Sequence, residues 1–153
     1  MDAQKKVIVF RLDDQEYATV IQNVRSIERM QEITRIPNVP NFIKGVINIR
    51  GEVTPIIDLK ERLSIGKMNE TNETRILIVE MNGIQTGLIV DAATDVIDID
   101  ASVVEPATNI MNGVNELFIE GVAKLENRLL LLLNLERVLI KQEINELQEL
   151  NQL

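Results

Sequence analysis

The sequence predicts a mainly β fold in which two copies of one small strand unit, each of about five strands, are intertwined, and three observations carry that expectation. β-Branched residues dominate the apolar set, with 21 Ile and 15 Val against 17 Leu and 7 Ala and only four aromatics, Phe10, Tyr17, Phe42 and Phe118. Two segments read as strand hairpins. The chain also aligns with itself at two offsets, without gaps, the mark of an internal duplication.

The elements follow in chain order. Val7 to Leu12, an Asp13-Asp14 turn and Glu16 to Ile21 form the first hairpin. Arg75 to Met81, the Asn82-Gly83 pair and Ile84 to Val90 form a stronger one, because Asn-Gly supplies the left-handed dihedrals of a two-residue hairpin turn. A shift of 69 positions lays Val7–Ile27 on Ile76–Val96, and a shift of 76 lays Gly45–Leu63 on Gly121–Leu139. The pseudo-repeats therefore run over about 7–66 and 75–140 within a single domain spanning residues 1–153. One copy alone has too little surface to bury, so the carboxyl-terminal segment is expected to pack back on the first copy. The polar stretch Lys67 to Thr74 has linker composition.

Helices are few. Asp58-Leu-Lys-Glu61 is a capping box that predicts a short helix, with Glu61 reaching back to Asp58, and Asn134 holds the equivalent place in the second copy. From Leu135 on, Val138, Leu139, Ile140, Ile144 and Leu147 recur at helical spacing and predict a carboxyl-terminal helix. In the connector, Ile33 to Gly45, Pro37 and Pro40 hold the chain extended, and Asn41 to Lys44 is expected to make one helical turn stopped by Gly45. The connector is expected to have no counterpart around Glu105 to Glu120. At the tip of the second hairpin the first copy has Arg50-Gly51 and the second Glu126-Asn127, so the turn is expected to need a left-handed residue, met by Gly51 or Asn127. It does not need Arg at position 50, which stands either as a solvated cation paired with Glu52 or as a functional excess.

Composition excludes much chemistry. Sixteen Lys and Arg against 24 Asp and Glu leave a net charge of −8, which repels a phosphate backbone, so nucleic acid is not an expected partner. With no Cys and no His, disulfides, thiolate nucleophiles and imidazole chemistry are absent. The polar amino end and the brevity of the longest apolar run, Leu129–Leu133, point to a cytoplasmic protein without membrane insertion. Asp91, Asp95, Asp98 and Asp100 are the one tempting cluster. Ile97 and Ile99 alternate with Asp98 and Asp100, however, as in a strand with one wet face. A divalent-metal binder or small carboxylate hydrolase is kept as the alternative function.

Residues 39–59, Val-Pro-Asn-Phe-Ile-Lys-Gly-Val-Ile-Asn-Ile-Arg-Gly-Glu-Val-Thr-Pro-Ile-Ile-Asp-Leu, resemble the signature of the CheW-type coupling proteins of bacterial chemotaxis. Pro40, Phe42, Ile43, Gly45, Val46, Asn48, Arg50, Gly51, Val53, Pro55, Asp58 and Leu59 occupy its fixed positions. The likeness extends to the opening hairpin, Ile33–Ile36, Gly87–Asp91 with Val96, and the hairpin at Gly121-Val122. It implies two small SH3-like barrels around a shared core, and no catalysis or cofactor. It further implies an adaptor that couples methyl-accepting chemoreceptor tips to the regulatory domain of the histidine kinase CheA, recruited to membrane-associated receptor arrays, with self-association there left open. Carried over by residue, the receptor-binding face comprises Val24, Asn48, Arg50, Gly51 and Val53, and the exposed apolar residues Ile33 and Val39 of the connector face the kinase. The family often has Val-x-Glu-Ile where this chain has Val24-Arg-Ser-Ile27, so a role for that carboxylate is in question at Ser26. With no His and no room for a further domain in 153 residues, the lone adaptor is the form expected, over a kinase or a receiver-bearing relative.

Overall fold

A computed structural model describes residues 4–81, 83–106 and 118–138, together with Glu149. Of the tail helix expected from Leu135 on, the described residues show only a 3₁₀ turn over Leu135–Arg137; its remainder, and Asn82 of the Asn-Gly turn, lie outside the described residues. Among the described residues eleven strands are formed: β1 (Gln4–Leu12), β2 (Gln15–Val20), β3 (Val24–Arg29), β4 (Ile43–Ile49), β5 (Glu52–Asp58), β6 (Arg75–Met81), β7 (Ile84–Val90), β8 (Ala92–Asp100), β9 (Val104–Pro106), β10 (Ile119–Lys124) and β11 (Leu129–Leu133). The helix α1 (Leu59–Arg62) is a single turn, and three-residue 3₁₀ turns occupy Ile21–Asn23, Ala101–Val103 and Leu135–Arg137.

The strands make two sheets, in the orders β8-β1-β2-β11-β10-β9 and β3-β6-β7-β5-β4. The count differs from five apiece because the three-residue β9 adds itself beside β10. Each sheet mixes the copies. The opening hairpin of copy one receives the closing hairpin of copy two through a parallel pairing of β11 on β2, and the hairpin β6-β7 receives β5 in the same way. The duplication holds at the level of single pairs: Ile56 lies opposite Gly87 just as Leu132 lies opposite Ala18, and Val24 opposite Val79 just as Ala93 lies opposite Phe10. Bulges recur at matching places, between Ile43 and Gly45 and between Ile119 and Gly121. Asp58 and Asn134, 76 positions apart, each donate their amide to the carbonyl of a phenylalanine, Phe42 and Phe118, at 2.8 and 2.7 Å. The connector's last residues thus do have a counterpart, at Phe118.

Three apolar clusters explain why the strands carry unbroken hydrophobic runs, since a strand buried on both faces cannot alternate. Val7, Val9, Ala18, Ile99, Ala123 and Leu130 pack together on one face of the six-stranded sheet, and Ile47, Ile49, Ile56, Ile76, Ile78 and Ile89 on one face of the five-stranded sheet. A third cluster, including Phe10, Leu12, Tyr17, Ile57, Leu77 and Leu88, lies between the sheets and joins them. The same strands serve two cores: in β1, Val7 and Val9 face one while Phe10 and Leu12 face the other. Charged contacts tie the sheets as well. Buried Lys60 on α1 reaches Asp13 in the β1–β2 turn at 2.9 Å and Asp91 beyond β7 at 3.1 Å. Burial disfavours its charge, but the bonds from these two carboxylates prevail and hold its pKa above the ordinary lysine value. The Arg62 guanidinium sits 5.2 and 5.0 Å from the ring centres of Phe42 and Phe118, the same pair that the duplication relates.

Local details correct three expectations. Asn41 to Lys44 forms a turn closed by the Ile43 amide on Pro40 O at 2.9 Å, not a helical turn, and Gly45 lies inside β4. Glu61 does not complete the capping box; it pairs with Lys44 Nζ at 2.5 Å, while Asp58 accepts from the amides of Glu61 and Met68 at 3.4 and 2.8 Å. The linker-like stretch is accordingly pinned at Met68 and closed into a turn by Thr71 and Thr74.

Arg128 clamps three strands, donating to both carboxylate oxygens of Glu16 at 3.0 and 2.9 Å and to Asp95 at 3.0 Å. The Arg128 bonds hold Glu16 below the ordinary carboxyl value. A carboxyl whose pKa is depressed by folding stabilises above its unfolded value, here near 4.5, and loses that contribution as pH falls through the folded value. Arg128→Met is therefore expected to lower the melting temperature at pH 7 by roughly 3 °C, corresponding to about 1 kcal/mol. The gap to wild type should close as the scan is repeated below pH 4.

Candidate functional site

The β4–β5 hairpin turns through two residues, with Ile49 paired to Glu52 and Arg50-Gly51 between them. Both have positive φ, +54° and +86°, the dihedral signs of a type I′ turn whose twist matches that of the strands. Asn48, exposed at the end of β4, accepts the Gly51 amide through Oδ1 at 2.9 Å and so braces the turn. Gly51 fits without strain, but an arginine with left-handed dihedrals costs about 1 kcal/mol. The second copy shows that the hairpin does not need this. Its tip, Leu125 to Arg128, closes with the Leu125 amide on Arg128 O at 2.8 Å, and neither Glu126 nor Asn127 has positive φ. The expectation that Asn127 would stand in for Gly51 therefore fails, because the second tip makes a different turn. Left-handed Arg50 belongs to the first copy alone.

Arg50 projects from the tip with 70% of its side chain exposed. Its carboxylate neighbour is not Glu52 but Glu28 on β3, 3.9 Å away. Since β3 and β4 are the two edges of the five-stranded sheet, this side-chain contact links one edge strand to the tip of the hairpin that forms the other edge. Along β3 the half-buried residues alternate, Val24, Ser26 and Glu28. Ser26 Oγ is buried without a protein hydrogen bond. The carboxylate on this strand face is thus supplied two residues beyond Ser26. Sequence reasoning missed Glu28, because a bulge between Val24 and Ser26 turns Ser26 and Glu28, paired with Ile78 and Ile76, to the face opposite Val24, which pairs with Val79.

Val24 and Val53 are half-buried and each packs against the central cluster between the sheets, while Asn48, Arg50 and Gly51 lie at the hairpin tip. Arg25 fixes this part of β3 by pairing with Glu80 of β6 and donating to Gln85 Oε1 of β7 at 2.9 Å. Gln85 in turn donates to Thr54 Oγ1 on β5 at 2.8 Å. A polar relay, exposed at Arg25 and buried at Gln85 and Thr54, therefore joins the strand that carries Val24 to the hairpin that carries Arg50.

The connector residues stand differently from expectation. Ile33 and Val39 are half-buried, not exposed, because the connector folds back over β4: Thr34 and Val46 exchange backbone hydrogen bonds at 2.9 and 2.8 Å. Ile33 packs against the core of the five-stranded sheet and Val39 against the central cluster. Both still line a surface groove, with Met30, Ile36 and Met68.

Three of the four aspartates of the second copy have separate structural duties. Asp91 holds Lys60 and accepts the Asp13 amide, Asp95 holds Arg128, Asp100 caps the Ala101–Val103 turn through the Ser102 amide, and Asp98 is exposed on β8. The Ser102 bonds hold Asp100 below its ordinary value. Among the described residues no three His, Cys, Asp or Glu converge as a metal would require. The alternative of a carboxylate metal centre or hydrolase has no support.

A braced hairpin tip with an exposed arginine, half-buried valines and a rigid strap define a protein-binding scaffold, a class that works by contact and not by catalysis. The chain matches the model of the CheW-like domain over residues 6–143, and it belongs to that family. It is 44% identical over 138 residues to the chemotaxis protein CheW of Bacillus subtilis, covering 90% of this chain and 88% of that one. It is 30% identical to CheW of Klebsiella aerogenes, covering 92% and 84%. Against the chemotaxis protein CheV3 of Helicobacter pylori it is 31% identical, but the match spans only 43% of that longer protein. The crystal structure of the scaffolding protein TtCheW from Thermoanaerobacter tengcongensis superposes with a TM-score of 0.83 at 38% identity, covering 91% of this chain and 94% of the other. The protein is a non-catalytic scaffold of chemotaxis signalling.

Proposed function

We propose that this chain couples the cytoplasmic tips of methyl-accepting chemoreceptors to the histidine kinase CheA, through two separate surfaces on one rigid body. The observation that carries the reading is Arg50, an exposed cation held in costly left-handed backbone that the second copy of the same hairpin does without. The receptor face comprises Val24, Val53 and Arg50, the last presented by the Asn48–Gly51 bond. The kinase face lies on the connector groove, where Ile33 and Val39 form part of an apolar wall held by the Thr34–Val46 pairing. None of the described helices is long and apolar enough to cross a membrane. Each contact is of the modest, transient kind, about −8 kcal/mol or micromolar, and the adaptor acts by raising the effective concentration of one partner at the other.

Separate titrations test this. The kinase regulatory domain and a soluble receptor cytoplasmic hairpin should each bind the wild-type chain, and Arg50→Ala should weaken the receptor arm about tenfold while leaving the kinase arm intact. Equal loss in both arms, with the fold preserved, would show one surface and not two.

A further inference from the structure

The Glu28–Arg50 contact is not explained by folding. At 3.9 Å it is longer than a hydrogen bond, and with the arginine largely exposed such a pair contributes almost nothing to stability. Glu28 keeps a quarter of its side chain exposed near the end of β3, on the face that carries Ser26. The two side chains thus lie side by side as opposite charges, without a close bond to each other.

We propose that Glu28 is a specificity-determining residue of the receptor face. With Arg50 it forms a two-sign site that takes a helical partner bearing an acidic and a basic side chain one turn apart, the acid on Arg50 and the base on Glu28. The inference rests on the reading of Arg50 as receptor-facing. Side chains three or four residues apart on a helix are about 5–6 Å from each other at Cβ, a spacing compatible with two charges separated by 3.9 Å. A planar guanidinium offers a carboxylate two parallel donors, while Glu28 accepts from lysine or arginine. A partner with an acid alone would meet repulsion from Glu28, so the carboxylate selects as well as binds.

The test is a titration of the full-length chain against a labelled soluble cytoplasmic hairpin of a chemoreceptor from the same bacterium, at low and high salt. Glu28→Gln, which keeps shape and removes charge, should weaken binding roughly 3- to 10-fold and flatten its salt dependence, and Glu28→Asp should retain most of the affinity. In an Arg50→Ala background Glu28→Gln should weaken binding further, because it removes a separate contact. Unchanged or tighter binding by Glu28→Gln overturns the proposal, since the carboxylate would then only screen Arg50. Absence of any further loss in the Arg50→Ala background also overturns it, since Glu28 would then act only through Arg50. If the wild-type chain does not bind the hairpin at all, the receptor-facing reading itself fails.

Discussion

Gly45→Ala is expected to cost about 3–5 kcal/mol and to lower the melting temperature by roughly 10 °C, the largest stability effect of any single methyl in this chain. Gly45 sits in a bulge of β4 at φ +141°, and a Cβ built there would lie 2.1 Å from Thr34 O and 2.8 Å from Ile33 Cγ2. Neither neighbour can give way cheaply. Thr34 O is a backbone acceptor already bonded to the Val46 amide, and Ile33 is packed into the core of the five-stranded sheet. Relief of the clash therefore requires the connector to leave β4, taking the Thr34–Val46 pairing and the wall of the connector groove with it. Gly51→Ala is the control, because its φ of +86° is equally unsuited to alanine but nothing lies within 4 Å of the added carbon. Its cost should be about 1 kcal/mol. Urea titrations compare the two, and equal midpoints for both variants would show that the close approach at Thr34 is not what holds the connector.

Arg50→Asn is expected to move stability and function in opposite directions. Asparagine tolerates left-handed dihedrals, and Asn-Gly is the preferred pair for a type I′ turn, so the hairpin should gain about 0.5–1 kcal/mol. The arginine's bond to Glu28 is too long and too exposed to offset that gain. Receptor-dependent kinase activity in a reconstituted mixture should nevertheless fall more than tenfold, because the cation of the proposed receptor face is gone. Arg50→Lys should lie between, since charge is kept but the planar two-donor geometry is lost. Gain of stability with loss of coupling is the pattern of a residue retained at some energetic cost for binding. Loss of stability in Arg50→Asn, or full activity, would leave Arg50 as an ordinary surface cation.

Much of the fold was legible because its signals are local. The hairpins announce themselves by Asp13-Asp14 and Asn82-Gly83 between apolar runs, and Asp58 and Asn134 cap the turns they precede. Duplication was legible because matching residues make matching contacts, as Phe42 and Phe118 do. What escaped depends on contacts between distant segments. Asn41 to Lys44 has the composition of a helical turn, and only the approach of Thr34, eleven residues before Gly45, reveals Gly45 as a bulge residue within a strand. The same fold-back buries the inner sides of Ile33 and Val39, which in a linear reading look free. Glu28 escaped for a related reason: it meets Arg50 only through a side-chain contact between one edge strand of the sheet and the tip of the hairpin that forms the other edge. Val24 and Val53 were reached through a resemblance, and the contrast between the two hairpin tips supplies an independent physical ground for Arg50.

The most direct measurement of the account is a co-sedimentation of the purified kinase with receptor-bearing membranes, with and without this protein. The kinase should pellet in proportion to the adaptor added and remain in the supernatant when Arg50→Asn is added instead. A kinase that pellets equally well without the adaptor, or an adaptor that is folded yet pellets with neither partner, would contradict the claim that one rigid body bridges the two.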